Sequence, residues 1–431
     1  MGKFANLPPP FKEDGVVAPE RFQVLVESSS TKPRVHALNH RFLLGNVSEQ
    51  FLEMTLTLLF GKTPMRIASF NVENLFSRAR VMNQDDWADG KSILTQFAKV
   101  NAILGKDTYS SADKAAILTG LSDLGLAASN ENKFLILRQN RGKLVKRPAT
   151  GPEIVANGRG DWIGWLALKT EAVNEIATRM TAQVIIDVNA EILAVVEAED
   201  RVALKRFNEQ LLEPVGADYG GIMLIDGNDE RGIDVGLFTK NGAQIESIVS
   251  HVDDIAGGAR IFSRDCPEFT VMIGANESIL ILVNHLKSKG YGSPAASNAR
   301  RKAQAKRVRE IYDQRRGEGV DLIAIAGDFN DTPNSDPLKP LLRDGSDLKD
   351  ITEHPSFVGD GRPGTYANGT ASNKIDYLLF SPALFARVTG GGIFRRGVWG
   401  GVHGTLFPHF PEMTSPAHAA SDHAAIWADF T

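Results

Sequence analysis

The chain has 431 residues, of which 42% are hydrophobic and 23% are charged. These values are ordinary for globular proteins and exclude wholesale disorder. Its 48 basic and 52 acidic residues leave a formal net charge of −4, which excludes a uniformly basic nucleic-acid or membrane binder but not a local basic groove. Because Cys266 is the single cysteine, no intramolecular disulfide can form.

The N-terminal part of the chain shows no targeting or anchoring pattern. No apolar run follows a basic start, and the longest early apolar run, residues 54–60, is far shorter than the ~20 residues of a transmembrane helix. Residues 1–64 also lack the periodicity of helices or strands. We therefore expect a cytoplasmic monomer without a membrane anchor, in which residues 1–64 form an extension outside the catalytic core.

From Met65 onward the pattern predicts alternating strands and helices. A short strand ends at Asn71, and residues 77–165 look mainly helical and loop-like. Apolar residues spaced by three or four predict a helix over 169–188. The later predicted elements are a strand at 192–196, a hairpin at 221–225 and 233–238, a strand at 279–283, a basic helix at 297–313, and strands at 322–326, 375–380 and 424–430. This order indicates an α/β or α+β enzyme core.

Five short segments share one property, since each places side chains that bind metals or transfer protons at one end of a predicted strand. The residues at these ends are Asn71, Glu197, His285, the pair Asp328 and Asn330, and the run 421–423. Any one of them alone is more often a turn or cap residue. Together, oxygen ligands without cysteine or histidine ligand spacing favour Mg²⁺, Mn²⁺ or Ca²⁺ over zinc.

The ordered motifs resemble those of the endonuclease/exonuclease/phosphatase superfamily, which includes deoxyribonuclease I-like nucleases, inositol polyphosphate 5-phosphatases and neutral sphingomyelinases. The matching segments are 67–72, 192–197, 284–286, 327–330, 374–377 and 421–423. The resemblance implies two packed mixed β-sheets flanked by helices in a four-layer sandwich. It also implies hydrolysis of phosphate esters with a divalent cation, Mg²⁺ or Mn²⁺.

The resemblance also assigns roles to individual residues. Asn71 and Glu197 would hold the metal, with Asp422 near it. Asp328 would orient or deprotonate the attacking water, and Asn330 would bind that water or the phosphate. His423, hydrogen-bonded to Asp376, would stabilise the charged transition state, and His285 would contact the scissile phosphate. These last roles suit the physics, because a carboxylate partner fixes the tautomer of a histidine and keeps it charged.

Asn71 and Glu197 lie 126 residues apart, which is more than the family usually needs, so we interpret 77–165 as a largely helical insertion in a domain spanning 65–431. It forms either a structural cap, which we favour, or a lid that brings Arg138, Arg141 and Lys143 to a phosphate backbone. Trp162 and Trp165 in it could stack bases, although packing is the preferred interpretation. The basic helix at 297–313 is interpreted as a solvated surface.

Substrate choice depends on basic groups beside the catalytic strands. Lys287 and Lys289 directly follow the strand that ends at His285, in a heptad resembling that of bacterial extracellular nucleases, and Arg231 next to the hairpin turn is a candidate phosphate contact. We therefore expect a nuclease acting on DNA or RNA. The alternatives are a phosphatase or phospholipase C-like hydrolase of inositol phosphates or sphingomyelin, and a non-catalytic binding module.

Overall fold

The structure is a computed structural model that describes residues 64–84, 87–289 and 293–431, together with the backbone of two short strands nearer the N-terminus. The chain forms two compact units, Met1–Gly61 and Lys62–Thr431. In the first unit, the strands Val26–Glu27 (β1) and Arg34–Val35 (β2) pair antiparallel. That residues 1–64 are an extension outside the catalytic core stays a prediction, and most of them lie outside the described residues.

The second unit alternates strands and helices. Its helices are α1 (Trp87–Leu104), α2 (Ser111–Asp123), α3 (Glu175–Val188), α4 (Arg201–Phe207), α5 (Pro294–Gly317), α6 (Lys339–Leu342) and α7 (Pro382–Phe385). Its strands are β3 (Met65–Asn71), β4 (Ser77–Ala79), β5 (Leu135–Arg141), β6 (Val145–Lys146), β7 (Glu153–Ile154), β8 (Ile163–Leu168), β9 (Thr170–Ala172), β10 (Ile192–Ala198), β11 (Gly221–Ile225), β12 (Asp234–Thr239), β13 (Gln244–Val249), β14 (Ile255–Ala256), β15 (Ala259–Arg260), β16 (Glu268–Gly274), β17 (Glu277–His285), β18 (Ile323–Asp328), β19 (Lys349–Asp350), β20 (Phe357–Val358), β21 (Asp376–Phe380), β22 (Val388–Phe394) and β23 (Ala425–Phe430).

Two large mixed sheets form the centre of this unit. The first has the strand order β11-β12-β10-β3-β23-β22-β20, and the second has the order β13-β16-β17-β18-β21-β19. Within each sheet the two central strands that carry site residues run parallel, β3 beside β10 and β17 beside β18. Parallel neighbours end at the same edge of a sheet, so the residues that follow these strands are brought together.

The sheets pack face to face and helices cover their outer faces. Ile67 and Val196 of the first sheet share one buried cluster with Ile281 and Ala324 of the second. Helix α3 packs on the outer face of the first sheet, and α5 packs on the outer face of the second. Strands buried on both faces need continuous apolar runs rather than alternation, as at 192–196. The four layers confirm the predicted fold class.

The insertion differs from its prediction, because only its first half is helical. Helices α1 and α2 are followed by two antiparallel pairs, β5–β8 and β6–β7, and the pair β4–β9 joins the ends of the segment. The insertion has a buried core of its own, which includes Val100, Leu121, Leu137 and Leu166. Strand β5 was missed because its partner β8 lies 22 residues or more away along the chain, beyond any local pattern. Among the described residues, no helix is long and apolar enough to cross a membrane.

Candidate active site

The first sheet contributes two site residues from the ends of β3 and β10. Val196 pairs with Asn71 in parallel register, so Asn71 and Glu197 lie at the same edge. Glu197 occupies a bulge between β10 and β12 and has a positive φ of 64°, a conformation that a non-glycine residue rarely adopts. The bulge takes Glu197 out of the strand pairing and turns its carboxylate towards the second sheet.

The second sheet contributes three residues in a row across its edge. His285 of β17 pairs with Asp328 of β18, and Asp328 pairs with Asp376 of β21. All three are buried. The sequence had indicated each residue separately, whereas the register makes them immediate neighbours.

The edges of the two sheets meet at a single cluster. Nε2 of His285 lies 3.4 Å from Oε1 of Glu197 and 3.6 Å from Oδ2 of Asp328. Nδ2 of Asn71 lies 3.5 Å from the same Asp328 oxygen. Burial and the guanidinium groups of Arg264 and Arg231 hold the pKa of His285 well below its usual value, so its imidazole is neutral.

His423 is fixed by Asp376. Its Nδ1 lies 2.9 and 3.1 Å from the two Asp376 oxygens, and the Thr365 hydroxyl donates to Asp376 Oδ2 at 2.6 Å. Burial opposes a charged ring, but Asp376 and Asp422 outweigh it and raise the pKa of His423 well above its usual value. With Nδ1 engaged, Nε2 faces the cluster, 3.9 Å from Asp328 and 3.6 Å from Asp422.

Asp328 is held by a tight turn after β18. The backbone N–H of Asn330 donates to Asp328 Oδ1 at 2.7 Å, and the Asn330 amide donates to Oδ2 at 3.0 Å. Asn330 has a positive φ of 55°, which asparagine tolerates better than most residues. Burial and the nearby Asp376 raise the pKa of Asp328, since a second negative charge is costly in this confined space.

The residues present fit a hard divalent cation. Glu197, His285 and Asp328 offer ligand atoms within 4.8 Å of one another, as do Asp328, Asp376 and His423. Desolvation and the Glu73 carboxylate raise the pKa of Asp422. His285 Nδ1 is buried without a hydrogen-bond partner. Crowded carboxylates with a nearby imidazole nitrogen could hold a divalent cation.

Sequence reasoning missed several residues that shape the site. Glu73 accepts from the Arg78 guanidinium at 2.6 Å and from the backbone N–H of Asp422 at 3.2 Å, so it joins β4 to the run 421–423 that precedes β23. Tyr366 packs its ring against His423, with centroids 4.9 Å apart. Glu73 could have been noticed, because it lies in the polar run that follows β3. Nothing in the local sequence marks Tyr366.

A cationic group lies beside His285. Arg231 forms a double hydrogen bond with Asp229, at 2.8 and 2.6 Å, and the fully buried Arg264 lies 3.2 Å from the same carboxylate. Burial, Arg231 and Arg264 lower the pKa of Lys287 to about 7. Arg231 and Lys287, the two predicted phosphate contacts, therefore lie close together beside His285. Sequence analysis did not identify Arg264, because it lies far along the chain from both of them.

Within the described residues, Lys289 forms an ion pair, whereas Arg138, Arg141 and Lys143 form none. Lys289 is paired with Asp331, with Nζ 2.5 Å from Oδ1. Arg138, Arg141 and Lys143 are exposed on or just after β5. Trp162 is buried, and its Nε1 donates to the Tyr109 hydroxyl at 3.1 Å. It therefore packs within the insertion, as predicted. Trp165 is exposed. The prediction that it packs within the insertion is wrong, because alternate residues of β8 face opposite sides of the β5–β8 pair.

Among solved structures, TDP2 from Caenorhabditis elegans (truncated) is 20% identical, with a TM-score of 0.41, over 59% of this chain and 90% of that one. The mannosyl-6-phosphatase of Bacteroides thetaiotaomicron is 18% identical, with a TM-score of 0.44, over 59% and 91% of the two chains. The human Nocturnin catalytic domain, which has a bound sulfate anion, is 16% identical, with a TM-score of 0.43, over 61% and 88%. No curated protein matches the sequence.

The family comparison covers most of the described catalytic unit. The model of the endonuclease/exonuclease/phosphatase family matches residues 173–423, which is more than half of the chain. The matched range includes Glu197, His285, Asp328, Asp376 and His423, and the strand that carries Asn71 pairs with β10 inside it. The chain therefore belongs to the endonuclease/exonuclease/phosphatase family.

Proposed function

We propose that this protein is a divalent-metal-dependent phosphodiesterase that cleaves DNA or RNA. Phosphate-ester hydrolysis follows from the family, whereas the metal and the nucleic-acid substrate are the proposed part. The observation that carries the proposal is that four side chains meet where the edges of the two sheets come together: Glu197, His285, Asp328 and His423. His285 lies 3.4 Å from Glu197 and 3.6 Å from Asp328, and His423 lies 3.9 Å from Asp328.

Asn71 and Glu197 would hold Mg²⁺ or Mn²⁺, with Asp422 beside them. When bound, such a cation neutralises charge on the phosphate oxygens and lowers the cost of the negatively charged transition state. The Asn71 side-chain oxygen accepts a hydrogen bond from the Glu73 backbone N–H at 3.1 Å. This bond fixes the orientation of the Asn71 side-chain amide.

The remaining roles follow from the hydrogen bonds. Asp328 has both oxygens oriented by Asn330, and it would position the attacking water and accept its proton. His423 has its Nδ1 committed to Asp376, so its Nε2 is the atom left to donate to a phosphate oxygen. His285 presents Nε2 on the other side of Asp328 and would make a second phosphate contact.

Two features favour a nucleic-acid substrate over a small phosphate monoester. Arg231, Arg264 and Lys287 lie together beside His285, and the two guanidinium groups share the single carboxylate of Asp229, so this neighbourhood keeps a net positive charge where a second phosphate of a chain would lie. A set of exposed cations in the insertion, Arg138, Arg141 and Lys143, extends the positive surface further. A small phosphate monoester would need neither, because its only phosphate occupies the cluster.

A substrate panel tests the proposal. Plasmid DNA, single-stranded DNA, RNA, an inositol polyphosphate and sphingomyelin would be assayed side by side with Mg²⁺ or Mn²⁺ and with EDTA, and bis-p-nitrophenyl phosphate would report bare diesterase activity. We expect nucleic-acid cleavage that EDTA abolishes. Faster turnover of the inositol phosphate or of sphingomyelin would favour the phosphatase or phospholipase C-like alternative, and full activity after exhaustive chelation would remove the metal from the proposal.

Variants of the same enzyme assign the roles. Asp328→Asn and His423→Ala should each lower kcat by at least ~10²-fold, the usual contribution of an acid–base or charge-stabilising group. Asp376→Asn should cost less, because it orients His423 without touching the phosphate, and Glu197→Gln should weaken metal binding and rate together. The matched control is Asp336→Asn, an exposed carboxylate on the surface, which should keep wild-type rates. A wild-type rate for Asp328→Asn would refute the assignment.

A further inference from the structure

The antiparallel pair β5–β8, with β6 and β7 between its strands in the chain, is called the β5–β8 hairpin below. We propose that its exposed face is a docking platform for the unpaired nucleotides of a nucleic-acid strand. Trp165 would stack on a base, and Arg138, Arg141 and Lys143 would contact the phosphates around it. The proposal rests on the proposed function, since the strand it takes is the substrate of the catalytic site.

The first observation is an aromatic side chain on an otherwise ordinary hairpin. Along β8 the residues alternate between buried and exposed, and Trp165 and Ile163 on the outer face are 45% and 42% exposed, whereas Leu166 is fully buried. A tryptophan that exposes nearly half of its surface forgoes a large burial energy. Trp162, three residues earlier, is buried and hydrogen-bonded, so the insertion does not lack space to bury an indole.

The second observation is the state of the cations on the same face. Arg138 pairs directly with Trp165 across the hairpin, and its guanidinium lies 5.9 Å from the ring centroid. Arg141 pairs with Ile163, and Lys143 follows the strand. Among the described residues, no carboxylate forms an ion pair with any of these three cations.

Arg147, another cation of the insertion, is held by hydrogen bonds to the backbone. Its guanidinium donates to the backbone carbonyls of Leu126, Ala127 and Ser129, at 2.7–3.0 Å, and to the Asn130 side chain. That arginine holds a loop in place. The side chains of the three cations beside Trp165 make no such hydrogen bond to the described part of the chain, so their charge is available to a ligand.

The third observation is that the insertion contacts segments next to the catalytic edge, through Asn101 of α1 and Arg78 of β4. The Asn101 amide donates to the carbonyl of Leu166 at 3.4 Å and also to the Glu230 carboxylate. Glu230 directly precedes Arg231, which belongs to the cationic group beside His285. At the base of the insertion, Arg78 of β4 donates to Glu73, which in turn contacts Asp422. These contacts join the insertion that carries the hairpin to the segments of Glu230 and Asp422, and the proposal is that a strand held in the site continues onto the hairpin.

The chemistry of the face favours a nucleic acid over other anionic ligands. Phosphates match unpaired guanidinium and ammonium groups, and a flat indole beside a guanidinium matches an unstacked base, which is how single strands are bound without sequence preference. In a duplex the bases are stacked on one another, so the indole has nothing to stack on. The face therefore fits single-stranded or frayed DNA or RNA.

The test measures binding of a fluorescent 20-nucleotide single strand across a salt series, with EDTA present and the strand checked for cleavage. Trp165→Ala should weaken binding by roughly 5- to 100-fold, the range for one lost base–aromatic stack, and should leave the salt slope unchanged. Trp165→Phe should retain most of the affinity. The triple variant Arg138→Ala, Arg141→Ala, Lys143→Ala should reduce the salt slope by about 2, at about 0.7 for each lost phosphate contact.

The matched control is the triple variant Lys302→Ala, Lys306→Ala, Lys339→Ala, which removes the same charge from exposed lysines that have carboxylate partners. It should bind the strand with a salt slope close to that of the wild type. Wild-type affinity for both Trp165→Ala and the hairpin triple would overturn the platform. The platform would also be overturned if Trp165→Ala weakened the binding of duplex DNA as much as that of the single strand. Displacement of the strand from the hairpin by anionic phosphatidylserine vesicles would overturn it as well.

Hydrolysis of bis-p-nitrophenyl phosphate separates this inference from the proposed function, because the ester is too small to reach the hairpin from the site. If the wild type hydrolyses it but the hairpin variants bind the strand normally, only the platform fails. If the wild type hydrolyses no phosphodiester while the hairpin variants lose the strand, the proposed function fails and the platform stands as a binding surface.

Discussion

Helix α5 and the β5–β8 hairpin both carry clusters of arginine and lysine, yet the structure treats these charges in opposite ways. Seven basic side chains of α5 form ion pairs with carboxylates: Arg301, Lys302, Lys306, Arg307, Arg309, Arg315 and Arg316. On the hairpin face, three cations have no carboxylate partner among the described residues. Positive charge in a sequence is therefore not the same as positive charge available to a ligand.

The difference comes from where the carboxylates lie. Several partners of α5 come from distant segments, such as Asp254, Glu268 and Asp331, and they reach the helix only because it packs on the second sheet. The hairpin stands on the insertion's own core, and the acidic groups near it are engaged elsewhere, such as Glu131 with Lys169. If this comparison is right, α5 cations serve the fold and hairpin cations do not.

The largest expected effect is on Arg301, the most buried cation of α5. Its Nε lies 2.9 Å from Asp331, and its guanidinium also binds the Lys287 carbonyl and the Asn298 side chain. Arg301→Ala should lower the free energy of unfolding by about 3–5 kcal/mol, because it leaves a buried carboxylate poorly compensated. Denaturant titration measures this. Lys306→Ala on the same helix, 72% exposed, should change it by less than ~0.5 kcal/mol. Equal effects would break the comparison.

A smaller, pH-dependent effect is expected at Glu268, which joins Arg315 of α5 to His251. Burial raises the pKa of Glu268, but Arg315 and His251 outweigh it and lower the pKa to about 2. Because the folded pKa lies below the usual value of 4.5, the carboxylate stabilises the fold above pH ~4.5, and this contribution disappears as the pH falls towards 2.

Glu268→Gln should therefore lower the free energy of unfolding by about 2–3 kcal/mol at pH 7 and by clearly less at pH 3. Thermal unfolding of variant and wild type at the two pH values measures the difference. Glu310→Gln, an exposed carboxylate on α5, should show no such pH dependence. A deficit of the same size at both pH values would contradict the ionic role of Glu268.

The smallest expected effect concerns the three hairpin cations, which should contribute little to the stability of the fold. The triple variant at Arg138, Arg141 and Lys143 should change the free energy of unfolding by no more than ~0.5 kcal/mol, as is usual for surface residues without structural contacts. It should also hydrolyse bis-p-nitrophenyl phosphate at the wild-type rate. The same denaturant titration checks the first point. A loss above ~1 kcal/mol would mean that these cations support the insertion after all.

Much of the candidate site could be anticipated, because its residues follow buried strands directly. Asn71, Glu197, His285 and Asp328 each stand where an apolar run ends, and parallel strands bring their ends to one edge. Glu73 lies in the polar run after β3 and could have been noticed there, but its partners could not be predicted, and no local signal marks Tyr366. Glu73 matters through Arg78 and Asp422, and Tyr366 matters through its packing on His423, so their roles depend on contacts between distant segments.

The sequence by itself indicated an α/β or α+β core, the strand ends and the identity of the chemical groups, because apolar periodicity and polar residues beside strands are local properties. The two-sheet sandwich was implied by the resemblance of the ordered motifs to the family. The tertiary structure alone decided which of two neighbouring tryptophans is exposed, which cations are paired, and that the insertion continues as strands after α2. Each of these depends on partners far away in the chain: Trp162 on Tyr109, Arg315 on Glu268, and β5 on β8. Local patterns carry no information about such distant partners.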